Sequence, residues 1–334
     1  MAVAAPRSRP VDTRTALLVA AALLTVAIAL RFVDPQGIGW VRTYLVIFGS
    51  LLIQALPFVM LGALAASLVE VFVPIGTLEK LGRLPRPLQL PAAALAGLAF
   101  PICECGSVPV ARRLAQRGLM PSAAVTFMLA APCLNPVVLT STFVAYRSRT
   151  TLWTMVGGRF LLGMIVAVAV GYVVGNRSSG DLFKPNPEED HEHLLEFGRP
   201  EARWRRFFVH LGNDFLFMGR YLILGATIAA AIQTFLPASV LTGVAGVPVV
   251  SLLVMMALAG ALSLCSESDA FVAASFVQFG PASQLAFLVF GPMIDLKLLA
   301  LYAGTFRPGF VRAVVVTVTL ATLAGTLWLG VIAG

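Results

Sequence analysis

Seven apolar runs, each close to the length of a bilayer span, constrain this chain more than any other feature: Ala16–Val33, Tyr44–Pro74, Met120–Ala145, Leu152–Val174, Phe207–Pro237, Gln284–Tyr302 and Val314–Ile332. A spanning helix needs about 20 apolar residues, and one soluble core does not absorb seven such runs. Charged residues make up only 12% of the 334, half the share of a typical soluble domain, and mean hydropathy is +0.89. The expectation is an all-α polytopic membrane protein whose first partner is the lipid bilayer. The net charge of +8 fits basic residues flanking membrane spans. No nucleic-acid-binding signature accompanies it, so nucleic acid is excluded as a partner.

Two further apolar stretches, Pro91–Gly118 and Pro248–Gly280, are interrupted by polar residues. The first breaks at Cys103-Glu104-Cys105-Gly106 into arms of about a dozen residues, each about 18 Å long and too short for a ~30 Å hydrocarbon core. The second breaks at Leu264–Asp269. Both read as re-entrant helical hairpins, since non-helical backbone at membrane depth must be buried in protein or line a wet cavity.

The chain also resembles itself. Cys105/Cys265, Pro121/Pro281, Phe127/Phe287 and Pro132/Pro292 share one offset, and Asn135 falls on Asp295. Leu61-Gly62-Ala63, Phe72 and Pro74 match Leu224-Gly225-Ala226, Phe235 and Pro237 at an offset three residues longer. Internal repeats mark many transporter folds. Arg7, Arg9 and Arg14 hold the N-terminus in the cytoplasm, as do Lys80, Arg83 and Arg86 the second loop and six basic residues the loop 176–206. An even number of crossings then separates these loops, which makes the repeats inverted, with about seven full spans plus two hairpins. Arg31, Arg42, Arg147 and Arg149 fall outside and weigh against this topology. The alternative is eight to nine full spans with parallel repeats. A cleaved signal peptide over Ala16–Leu30 is a second open alternative.

The expected organisation is a tail and first span (1–40), repeat 1 (41–175, hairpin 91–118), a cytoplasmic polar loop (176–206) and repeat 2 (207–334, hairpin 248–280). Inverted hairpins would bring Cys103–Ser107 and Cys265–Asp269 together near the midplane, where transporter sites form from broken helices. Ionisable groups buried there are expensive and functional by default. The expected substrate and proton pathway is Glu104, Ser107, Asn135, Ser266, Glu267, Asp269 and Asp295. Asp295 and Lys297 are a possible pair, although residues i and i+2 of a helix do not face each other. Thiolates favour soft ions, so Cys105, Cys265, Cys103 and Cys133 are the expected ligands of a thiophilic metal or metalloid substrate. Each cysteine also has the plain reading of a small packed hydrophobe. His191 and His193 read either as a metal-sensing pair or as part of a solvated acidic linker.

The segments CECGSVPVARRL, FMLAAPCLNPVV, CSESDAF and LVFGPMIDLK resemble the bacterial permease family that includes the organoarsenical efflux permeases, and its two-component branch most. The resemblance covers most of the chain after residue 40 and implies a multi-pass inner-membrane permease, with a partner membrane protein in that branch. It implies thiol binding of trivalent arsenic at Cys105 and Cys265, with Cys103 and Cys133 less firmly matched. The carboxylates Glu104, Glu267 and Asp269 depart from the arsenical pattern and suit a metal cation. Efflux by a secondary transporter is the leading expectation, with no cofactor: no P-loop is present to use ATP. The alternatives are an obligate subunit of a two-component complex and a membrane thiol oxidoreductase. The oxidoreductase would want C-x-x-C where the chain has C-x-C.

Overall fold

The computed structural model describes residues 39–72, 85–99, 102–175, 182–184, 201–235 and 248–333. The described residues divide into two units, the boundary falling between Val46 and Ile47. The expected first span and the loop histidines lie outside the described residues.

Twelve helices of at least seven residues are described: α1 Gly39–Phe72, α2 Arg86–Ala96, α3 Glu104–Gln116, α4 Pro121–Leu134, α5 Pro136–Tyr146, α6 Leu152–Val174, α7 Glu201–Phe235, α8 Pro248–Leu262, α9 Asp269–Ser275, α10 Pro281–Phe290, α11 Leu296–Thr305 and α12 Pro308–Ala333. Among the described residues, five helical stretches are long and apolar enough to cross a membrane: α1, α4 with α5, α6, α7 and α12. Their outward faces carry large apolar side chains such as Ile53, Leu161, Leu216 and Val331. That is the arrangement of helices solvated by lipid. All four tryptophans, Trp40, Trp153, Trp204 and Trp328, are exposed and sit near helix ends, as interfacial aromatics do.

The interior belongs to α4 and α10. Every residue from Ser122 to Leu134 and from Ser283 to Phe290 is buried. Around α4 pack α2, α3, α5 and α6; around α10 pack α6, α8, α9 and α12. Small residues let these backbones close up. Gly62 of α1 meets Gly106 of α3 so closely that a Cβ on Gly62 would stand 2.3 Å from the Gly106 Cα.

The second interrupted stretch breaks at its polar motif; the first breaks just ahead of its motif, with Glu104, Cys105 and Gly106 already in the first turn of the second arm. α2 ends in turns at 97–99, and the chain runs extended through Ile102 and Cys103 before α3 begins at Glu104. α8 ends at Leu262 and α9 begins at Asp269. Ser263 takes the left-handed conformation, φ 47°, at the end of α8. Its hydroxyl accepts from Leu296 N at 3.2 Å and donates to Gly260 O at 3.0 Å, which fixes the turn.

The expected span Met120–Ala145 is kept but broken at Asn135 into α4 and α5, whereas the expected span Gln284–Tyr302 is corrected: it divides at residues 291–295 into two short helices, α10 and α11. The first break has a local cause: Pro136 disfavours the helical conformation in the residue before it, and Asn135 sits at ψ 131° with its side chain accepting from Val137 N at 2.9 Å. At the second, extended Asp295 caps α11 by accepting from Leu298 N at 2.6 Å. The polar loop is also less detached than its composition predicts. Phe183 bridges to Phe306, Lys184 N donates to Thr305 O, and Arg307 N donates to Leu182 O.

Candidate functional site

The two hairpin tips meet. Glu104 opens α3 and is 1% exposed; its Oε2 accepts from Ser266 Oγ at 3.0 Å and, at the limit of hydrogen bonding, from Ser266 N at 3.5 Å. A carboxylate at a helix N-terminus is favoured by the helix dipole. Its own tip is held by Ser107 Oγ donating to Glu104 O at 2.9 Å and Ser107 N donating to Cys103 O at 3.1 Å. Pro109 has no N–H, so the Cys105 carbonyl is left without its usual helical donor. Opposite, the Cys265 carbonyl gathers Ser268 N, Asp269 N (both 3.0 Å) and Ser268 Oγ (3.1 Å) into a tight turn. Ser268 Oγ in turn accepts from Gln54 Nε2 of α1 at 2.9 Å.

One ligand atom each from Glu104, Cys265 and Glu267 falls in a group whose members lie within 4.8 Å of one another. One thiol and two carboxylates in that space suit a divalent ion such as Zn²⁺, which takes both sulfur and oxygen ligands. Glu267 is half-buried, and its Oε2 and Glu104 Oε1 have no hydrogen-bond partner. Buried oxygens without donors are costly and mark where a ligand or ion is expected.

Positive charge reaches the site from two residues. Arg159 of α6, fully buried, binds Asp269 in a two-bond fork, Nη1 to Oδ1 at 2.8 Å and Nη2 to Oδ2 at 2.7 Å. The same guanidinium donates to Thr142 Oγ1 at 3.0 Å and to Ser266 O at 3.2 Å. Lys297 Nζ stands 3.6 Å from Glu104 Oε1 and 3.6 Å from Asp295 Oδ2. The Asp295–Lys297 pair exists because Asp295 is extended rather than helical, so the helical spacing rule does not apply to it.

The remaining expected residues are placed as follows. Cys103 and Cys105 are buried at the first tip, within reach of each other but outside the three-ligand group. Cys133 is fully buried and stands apart, its Sγ 3.9 Å from Val289 O, against Gly163. Asn135 caps α5 and Asp295 caps α11, so both act on the second pair of breaks. Arg113 of α3 is buried and pairs with Asp214 of α7 at 3.1 Å. Sequence reasoning passed over Arg159. The signal was there: a single arginine inside the apolar span Leu152–Val174 is as expensive as the acidic residues that were singled out.

Residues 41–331 match the family described as predicted permease, ArsP_1. The chain is 39% identical over 286 residues to a Bacillus subtilis protein named UPF0718 protein YcgR, covering 84% of this chain and 95% of that one. It is 34% identical over 290 residues to a Streptococcus mutans protein named putative two-component membrane permease complex subunit, covering 86% of this chain and 95% of that one. No solved structure matches. The all-helical fold, its lipid-facing helices and its buried polar centre define a multi-pass membrane protein. The chain belongs to the ArsP_1 predicted-permease family.

Proposed function

We propose that the protein is an inner-membrane permease that exports a thiophilic metal or metalloid by secondary transport, through a site at its two hairpin tips. The observation that carries this reading is the group Glu104, Cys265 and Glu267. Charge balance supports a cation. Arg159 answers Asp269, which leaves Glu104, Glu267 and Asp295 facing the single ammonium of Lys297. Among the soft ions, one that accepts mixed sulfur and oxygen ligands fits this set better than trivalent arsenic bound by thiols alone. Cys103 and Cys105 lie close enough to receive the ion as it moves along the tip.

Two inverted repeats suit the helix order. Each half runs through a long helix (α1, α7), two arms about a tip (α2 and α3, α8 and α9), a broken pair (α4 and α5, α10 and α11) and a long closing helix (α6, α12). Across the halves, α5 packs on α9 as α11 packs on α3, the pairing a two-fold relation requires. Arms of 11, 13, 15 and 7 residues are at most about 23 Å long, which favours hairpins that turn back over full spans.

The test is elemental analysis of cells expressing the wild type, Cys265→Ser and Glu104→Gln, exposed to zinc, cadmium, copper, arsenite and methylarsenite. Lower accumulation of one element in the wild type, lost in both variants, supports the reading. No difference for any element sinks it for the chain acting alone. A second reading, an obligate subunit, draws on the name of the Streptococcus relative. It predicts that export appears only on co-expression with the membrane protein encoded beside this one.

A further inference from the structure

Lys297 is held where a bound cation would go. Its backbone is fixed: Leu296 N donates to Ser263 Oγ, Leu298 N donates to Asp295 Oδ1, and Gly225 packs so tightly that a Cβ there would stand 2.6 Å from the Lys297 Cα. Its ammonium is not. At 3.6 Å from both Glu104 Oε1 and Asp295 Oδ2, it lies beyond the ~2.8 Å of a charge-assisted hydrogen bond to either. Those two oxygens are among the buried atoms without a hydrogen-bond partner. The side chain is 2% exposed, and the Cys105 and Cys265 thiols are close enough to feel its charge. A flexible four-carbon stem on a fixed backbone thus hangs a positive charge midway between a candidate ligand and a second carboxylate.

Asp295 offers that charge somewhere to go. Among the described residues it is the one ionisable group lining an open, mainly apolar pocket of about 280 Å³, with Ile232, Met256, Gly260, Phe290 and Leu299 among the walls. That space leaves room beside Asp295 for an ammonium.

We propose that Lys297 is a tethered counter-cation: its ammonium neutralises Glu104 when no cargo is bound, and an arriving metal cation displaces it onto Asp295. This rests on the tips being a cation site and adds a residue that decides affinity and release. The carboxylate of Glu104 then never stands buried and unpaired, since either cargo or lysine answers it. A cargo ion held against a built-in competitor binds less tightly, and it leaves as the lysine returns.

The test uses the full chain purified in detergent and titrated with Cd²⁺, read by the thiolate-to-Cd²⁺ charge-transfer absorbance. Cys265→Ser is the control that should lose the band. The Lys297→Met/Asp295→Asn protein removes the competitor and keeps one balanced charge fewer on each side; asparagine also caps a helix as aspartate does. It is expected to bind Cd²⁺ about tenfold more tightly than wild type, since no ammonium then has to leave Glu104 before the ion can bind. Should this protein not fold, Lys297→Arg decides: a guanidinium grips Glu104 in a two-bond fork and weakens Cd²⁺ about tenfold. Equal Cd²⁺ affinity in wild type and variant overturns the tethered-cation role and leaves the cargo reading standing. No absorbance band in any of the proteins, wild type included, overturns the cargo reading and this inference with it.

Discussion

Arg159 and Asp269 form a two-bond ion pair, 2.8 and 2.7 Å, with both side chains out of contact with the surface. The pair joins α6 to the start of α9, and through Ser266 O and Thr142 Oγ1 it also holds the second tip against α5. It spans the two halves of the chain at the site, as Ser266–Glu104 and Lys297–Glu104 do.

Breaking that pair from one side should be severe. Removing one partner of a buried pair typically costs about 3–5 kcal/mol, because the other charge is left stranded. Arg159→Ala and Asp269→Ala are each expected to lower the thermal unfolding temperature of the purified protein markedly. Replacing both by apolar residues, Arg159→Met with Asp269→Leu, should recover much of that loss while transport stays absent. Single variants as stable as wild type would show that the pair contributes nothing to the fold.

The meeting of the two tips was legible because charge in apolar sequence is conspicuous: Glu104, Glu267 and Asp269 stand out there, and each lies where the two tips meet. Arg159 was missed because it was read as part of a span rather than as a charge needing an answer. The splits at Asn135 and Asp295 were missed for a different reason. Hydropathy alone reads α4 with α5, and α10 with α11, as continuous apolar runs. The local signals were a proline directly after Asn135 and an aspartate able to cap the helix that follows it. The pairing of Lys297 with Asp295 was read from the sequence, but its approach to Glu104 in the other half was not, since that depends on how α11 packs against α3 and α7.

The thiols should separate by role. Cys265 belongs to the three-ligand group, whereas Cys133 packs against Gly163 at the start of its sulfur's contact with Val289 O. Cys265→Ser is expected to abolish export at unchanged protein level. Cys133→Ala should leave export within about twofold of wild type, with a stability loss of about 1 kcal/mol for one buried sulfur. Loss of export in Cys133→Ala at normal protein level would move Cys133 into the pathway.

The crossing of α1 over α3 has no slack. A methyl on Gly62 would stand 2.3 Å from Gly106 Cα, a backbone atom that no rotamer change can move. Gly62→Ala should therefore reduce folded protein sharply. Gly49→Ala, on the same helix with nothing within 4 Å, should be neutral or stabilise by up to ~1 kcal/mol through helix propensity alone. Detergent-resistant fluorescence of a fused reporter, compared between the two, checks this. Equal yields would mean that α1 does not pack as described.

Ser263 separates backbone strain from hydrogen bonding at the second tip. A non-glycine residue in the left-handed region costs about 1–2 kcal/mol, and Ser263 meets that cost at φ 47° while its hydroxyl caps Leu296 N. Ser263→Ala keeps the strain and strands a buried amide, so it should destabilise by about 1–3 kcal/mol. Ser263→Gly strands the same amide but relieves the strain, so it should lie between alanine and wild type in thermal unfolding. The order wild type, glycine, alanine is the expected result. Glycine falling below alanine would mean that the left-handed backbone at Ser263 carries no strain to relieve, and alanine as stable as wild type would remove the hydroxyl bond to Leu296 N as the link between the second tip and the break at Asp295.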